Sequence, residues 1–163
     1  LARTTVADVA AHVWSRRTAL LEALDALPQV PQHGDPVPGN LRGRVDEPDS
    51  LGDVVAIDWS TFGRGPVGGD VGYLSLSARE DFGPLLDAYL SGMPRDVASA
   101  DQVAAGARTM AVYTVLTRAE WALARVAGGE GALAGKYRHP SVAPHLLAMQ
   151  RQLPQIEALL AVC

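Results

Sequence analysis

A single lysine, Lys136, and a single cysteine, Cys163, occur in the 163 residues of this chain. With so little lysine and with scattered arginines, the chain lacks the clustered cationic surface that nucleic-acid phosphates require. A formal charge of −4 and a pI near 5.5 point the same way, so no nucleic-acid partner is expected. A lone terminal cysteine cannot close an internal disulfide, which fits a reducing compartment and leads us to expect a cytoplasmic protein. Apolar runs are broken by charge well short of the roughly eighteen residues of a spanning helix, so no membrane partner is expected. The opening residues show no charged segment followed by an apolar core, as a secretory signal would. The start at Leu1 is read as that of a processed or truncated product. Repeats, low-complexity tracts and an evident linker are missing as well. What remains, 48% hydrophobic and 20% charged residues, is the ordinary balance of a globular protein, read as one domain over 1–163.

Helical periodicity dominates what is present. Val6, Val9, Ala10, Val13, Trp14, Leu20, Leu21, Leu24 and Leu27 form one stripe, which predicts a helix stopped by Pro28 and Pro31. Residues 32–40, QHGDPVPGN, are dense in turn formers and read as a loop. Leu41 to Val45 and Val54 to Ile57 are short β candidates around the turn-rich Asp46 to Ser50, and together they predict a small hairpin. A glycine-rich loop from Gly63 to Gly69 follows, with Asp70 expected as the N-cap of the next helix. Helices are predicted near 70–79, 81–91, 99–127 and 141–152, with a last one after Pro154. The fold class is therefore mainly α with a small β-hairpin. Trp14 and Trp121 lie among apolar residues at helical spacing and are expected in the core.

The polar oddities gather around the hairpin. His33-Gly34-Asp35-Pro36-Val37-Pro38-Gly39-Asn40 precedes its first strand, and Asp58 follows its second. A hairpin brings its two ends together, so Asn40 and Asp58 can share a hard cation such as Mg²⁺, which prefers carboxylate and amide oxygens. Asp35 then stands beside that ion as a free carboxylate able to take a proton from a hydroxyl. Taken singly, Asp and Asn are common turn residues; the ordered spacing of all three is what points to chemistry. Two other patterns carry less. Gly63-Arg64-Gly65-Pro66-Val67-Gly68 matches G-x-G-x-x-G, but it begins too far after Ile57 and is followed by Asp70, which would repel a pyrophosphate. His12, His33, His139 and His145 include no i, i+4 pair and read as structural or surface residues.

The order H-x-D-x-x-x-x-N followed by a strand-terminal Asp is the kinase-like pattern. Written as His-Gly-Asp with Ile57-Asp58-Trp59, it resembles the aminoglycoside phosphotransferase and choline kinase-like family. Gly65-Pro66-Val67-Gly68-Gly69-Asp70-Val71 resembles that family's G-P-x-x-x-D-L stretch. The likeness is close over residues 32–74 and extends to the flanking helices only in pattern. It implies the helical C-terminal lobe of a kinase-like α+β fold that transfers phosphate from ATP or GTP, with Mg²⁺, to a hydroxyl of a small molecule. Carried over by position, Asp35 resembles the base, Asn40 and Asp58 the magnesium ligands, His33 a packing residue of the loop, and Asp70 an acceptor of loop N–H groups. Val37 departs from the family's frequent His, and Ser60 from its frequent acidic residue.

Only 32 residues precede His33, and none is a lysine. Phosphoryl transfer needs a loop over the phosphates and a lysine contacting them. The nucleotide-gripping N-terminal lobe is thus expected to be a missing partner of this chain, which alone should have little activity and could self-associate through the lobe interface. Acidic residues after position 70, among them Glu80, Asp87 and Glu120, are candidates for binding a cationic acceptor, as is Trp121 by stacking. Their alternative is the solvated face of a helix. The alternative to an enzyme is a kinase-like module kept for binding or docking.

Overall fold

Ser15, Arg16 and Arg17 interrupt the first helical stripe by taking the carbonyls that would carry it on. The Ser15 hydroxyl donates to the His12 carbonyl at 2.6 Å and Arg17 Nη1 to the Trp14 carbonyl at 3.0 Å. The Arg16 N–H closes a tighter turn onto Val13 at 3.0 Å. Side-chain bonds to backbone carbonyls compete with the helical ladder. The computed structural model, which describes residues 6–44, 53–78 and 82–127, therefore holds two helices where the stripe predicts one: α1 (Val6–Ser15) and α2 (Arg17–Asp25). Trp14 corrects a second expectation. It is 41% exposed, with the Arg17 guanidinium 4.8 Å from its ring centroid, and is not a core residue.

The chain divides into two compact units, Leu27–Ala107 and a discontinuous one of Leu1–Ala26 with Arg108–Cys163. In the discontinuous unit the buried apolar residues are Val13, Leu20 and Leu24 from α1 and α2, and Ala111, Val112, Val115 and Leu116 from the long helix α5 (Ala100–Ala127). Ser99 starts α5 with a reciprocal cap: its hydroxyl accepts the Gln102 N–H at 3.2 Å, and Gln102 Oε1 accepts the Ser99 N–H at 2.9 Å. The helices expected at 141–152 and after Pro154 lie outside the described residues, as does the turn at 46–50.

The unit Leu27–Ala107 holds two antiparallel two-stranded sheets. Strands β2 (Leu41–Arg44) and β3 (Asp53–Ala56) form the expected hairpin, with Leu41 opposite Ala56 and Arg44 opposite Asp53. The other sheet corrects the loop readings on both sides of it. β1 (Gln29–Gln32) pairs with β4 (Gly63–Pro66), Gln29 opposite Pro66 and Gln32 opposite Gly63. Two prolines fit this ladder because of its phase. The Val67 N–H donates to the Pro28 carbonyl at 2.8 Å, and bonded pairs alternate from there. Pro31 and Pro66 fall where an N–H would point away from the partner strand.

Two further helices follow, α3 (Gly69–Ser75) and α4 (Phe82–Gly92). The N-cap of α3 is Gly68, at φ 81°, rather than Asp70, which sits in the first turn. Close approach of α3 to the start of α5 depends on Gly72, where a Cβ would run into the Ala107 carbonyl. Val67, Val71, Leu76, Val103 and Ala107 are buried in this unit. The described chain is thus mainly helical with two small sheets, and among the described residues no helix is long and apolar enough to cross a membrane.

Candidate active site

The loop from His33 to Asn40 joins β1 to β2, and four side chains fix its path. Asp70, in the first turn of α3, accepts the His33 N–H through Oδ2 at 2.7 Å and the Gly34 N–H through Oδ1 at 3.0 Å. A carboxylate accepting two consecutive N–H groups is a strong anchor, because charged hydrogen bonds exceed neutral ones. Thr61 adds a third tie, its hydroxyl donating to the His33 carbonyl at 2.9 Å. Here the chain must turn sharply: Gly34 has φ 84°, and a Cβ there would lie 2.5 Å from the Thr61 carbonyl oxygen. Only glycine takes such a position without strain.

His33 is 6% exposed, and both of its ring nitrogens have work. Nε2 lies 2.8 Å from the Ile57 carbonyl, and Nδ1 lies 3.3 Å from the Asp35 N–H. A carbonyl can only accept and an amide N–H can only donate, so the partners assign the neutral tautomer protonated at Nε2. The imidazole also packs against Trp59, with ring centroids 4.6 Å apart. His33 is therefore a brace between the loop and the end of β3.

Asp35 and Asn40 meet directly. Asn40 Nδ2 donates to the Asp35 carbonyl at 3.0 Å and to its Oδ2 at 3.2 Å. The Asp35 carbonyl also accepts the Val37 N–H at 2.8 Å. These acceptors fix which end of the Asn40 amide is nitrogen. Its Oδ1 and the second oxygen of Asp35 are then the oxygens this pair has left for other partners.

Asp58 arrives by the hairpin. The Ile57 N–H donates to the Asn40 carbonyl at 2.9 Å, extending the β2–β3 ladder by one pair. Asp58 then leaves the ladder at φ 61° and ψ 64°, the one non-glycine residue with positive φ among the described residues. Residues held in such sparsely populated conformations cluster at functional sites. Its carboxylate is exposed and accepts the Ser60 hydroxyl at 2.9 Å. An amide oxygen at 40 and a carboxylate at 58 are the donor types that Mg²⁺ takes, so the residues present fit that ion. Among the described residues there is no group of three or more His, Cys, Asp or Glu side chains that could hold a metal.

Of the other expected positions, Asp87 is exposed on α4. Glu80 lies outside the described residues, as do the side chains of Glu120 and Trp121 on α5. Sequence reasoning missed Thr61, Trp59 and Phe62. Trp59 donates from Nε1 to the Ala56 carbonyl at 2.9 Å and meets Phe62 edge-on at 5.7 Å. Two aromatic residues within four positions of the strand-terminal Asp58 were the available signal. Gly63 to Gly68, the formal dinucleotide fingerprint, is strand β4 and its turn.

The model of a family described as phosphotransferase enzyme family (APH) matches residues 2–105, more than half of the chain. That span covers the four strands and the whole loop. No curated protein and no solved structure matches.

Proposed function

The chain belongs to the phosphotransferase enzyme family, and on that premise we propose that it carries the acceptor-activating, metal-holding half of a kinase that phosphorylates a hydroxyl of a small molecule. The donor is ATP or GTP. The fold we assign is the helical C-terminal lobe of a kinase-like architecture, on the element order helix, β1, loop, hairpin, Asp58, β4, helix. We assign the grip on the nucleotide phosphates to a separate lobe, as kinase-like folds arrange it.

In this reading Asp35 orients the acceptor hydroxyl and takes its proton as the hydroxyl oxygen forms its bond to the γ-phosphorus of the donor. The bond from that phosphorus to the bridging oxygen breaks, and the nucleoside diphosphate leaves with the electron pair. Asn40 serves two ends: its nitrogen holds the Asp35 carboxylate in place, and its oxygen, with Asp58, would hold Mg²⁺. The ion, when bound, supplies positive charge against the phosphate oxygens. His33 and Asp70 touch no reacting atom and position the loop. Phosphoryl transfer asks a protein mainly for such positioning and charge.

One observation carries the proposal. Asn40 bonds Asp35 through its side chain at 3.0 and 3.2 Å, while its main chain accepts the N–H of the residue before Asp58 at 2.9 Å. Groups far apart in sequence thus converge on one residue. The test is Asp35→Asn in the full-length protein, assayed with magnesium, ATP and an alcohol acceptor. Removing a general base should lower kcat by about 10²- to 10⁴-fold and leave acceptor binding nearly intact. Unchanged turnover would remove Asp35 from the role.

A further inference from the structure

Beside the loop lies a cavity of about 410 Å³ whose described lining includes His33, Pro36, Trp59, Phe62, Leu74 and Tyr89. Its size falls within the range of small-molecule pockets. His33 and Pro36 flank Asp35 in the chain, so the cavity adjoins the assigned base.

The chemistry of the walls is more telling than the size. Leu41, Ala56 and Val71 extend an apolar surface, and the carboxylate, the imidazole and the indole among them are engaged within the protein. Asp70 has each oxygen on a loop N–H. His33 has a partner at each nitrogen, Trp59 Nε1 bonds the Ala56 carbonyl, and Gln32 Nε2 bonds the Pro66 carbonyl. Asp70 is also the only carboxylate among the described lining residues. Yet two of the rings are left to solvent, Trp59 at 52% and Phe62 at 58% exposure. A polycationic acceptor needs several carboxylates that can turn toward it, and those walls do not offer them. An apolar body would cover both rings and gain by taking them out of water.

We propose that this cavity receives the apolar body of the acceptor, and that the substrate is an uncharged alcohol bearing an aromatic or bulky aliphatic group. The assignment rests on the phosphotransferase reading of Asp35, because it is the neighbouring base that makes the cavity an acceptor site.

The test is a binding measurement on the full-length protein, independent of turnover. 2-Phenylethanol, choline and kanamycin are titrated in turn, with tryptophan emission and ligand-detected NMR as readouts. We expect saturable binding of 2-phenylethanol, at least tenfold tighter than either cation. Leu74→Asp, which puts a charge on the wall, should weaken it at least tenfold. Phe62→Ala, at a position 58% exposed, should weaken it about threefold or more, so the result does not hang on the folding of the first variant. Tighter binding of choline or kanamycin, no saturable binding of 2-phenylethanol, or binding indifferent to both wall variants overturns the proposal. Full turnover in Asp35→Asn, by contrast, sinks the phosphotransferase reading while the binding result stands.

Discussion

Asp70 accepts the backbone N–H of His33 at 2.7 Å across 37 positions of sequence, and its other oxygen takes the N–H of Gly34. The first turn of a helix thereby sets the course of a loop that contains no regular structure between His33 and Val37.

Replacing that carboxylate should be felt first in stability. Asp70→Ala leaves the N–H of His33, in a partly buried setting, without its acceptor, at a cost of about 1–3 kcal/mol. Asp70→Asn should lose nearly as much, because its amide nitrogen must face one of the two donors. Urea unfolding gives the loss, and faster hydrogen exchange at the His33 and Gly34 amides would localise it. An unchanged midpoint with unchanged exchange would mean that the anchor is unnecessary.

Gly34 and Gly39 make a matched pair for a second prediction. Alanine at Gly34 must adopt φ near 84° with its Cβ 2.5 Å from the Thr61 carbonyl oxygen, whereas alanine at Gly39 meets nothing within 4 Å. Gly34→Ala should destabilise by roughly 1–3 kcal/mol. Because it displaces Asp35, the proposed base, it should also lower turnover by about 10²-fold. Gly39→Ala should stay within about 0.5 kcal/mol of the parent. Thermal melts and steady-state rates on both variants decide it, and equal behaviour of the two would contradict the strain argument.

Asp58 separates function from stability. Its left-handed backbone, φ 61° and ψ 64°, is tolerated by Asn but not by a β-branched residue. Asp58→Asn should therefore keep the melting temperature and raise the magnesium concentration needed for nucleotide binding. Asp58→Val should lose the same dependence and about 1–2 kcal/mol of stability as well. Calorimetric titration of nucleotide at several magnesium concentrations reads the first effect. An unaltered magnesium requirement in Asp58→Asn would withdraw the ligand assignment.

Much of this arrangement is legible before any coordinates. The run Val54-Val55-Ala56-Ile57 and the turn-rich segment before it announce the hairpin, and the hairpin is what carries Asn40 to the residue preceding Asp58. Strands β1 and β4 are hidden by their own composition. Pro31, Pro66, Gly63 and Gly65 are residues that propensity assigns to loops, and only the ladder's phase makes them acceptable. The two short helices at the start are hidden for a different reason. Their apolar spacing survives the break at Arg16, so periodicity sees one helix, and Trp14 is assigned to a core that it does not reach. The pairing of Trp59 with His33 and Phe62 is a tertiary fact with no periodic trace.

Ile57 gives the motif its tolerance. Its N–H goes to Asn40 and its carbonyl to His33, while its side chain is 40% exposed. Every residue except proline offers that same pair of main-chain groups, so evolution is free to write almost any letter at this place without loosening the loop. A pattern built to find kindred sequences should leave the position before the second aspartate blank and insist instead on the histidine that reads its backbone.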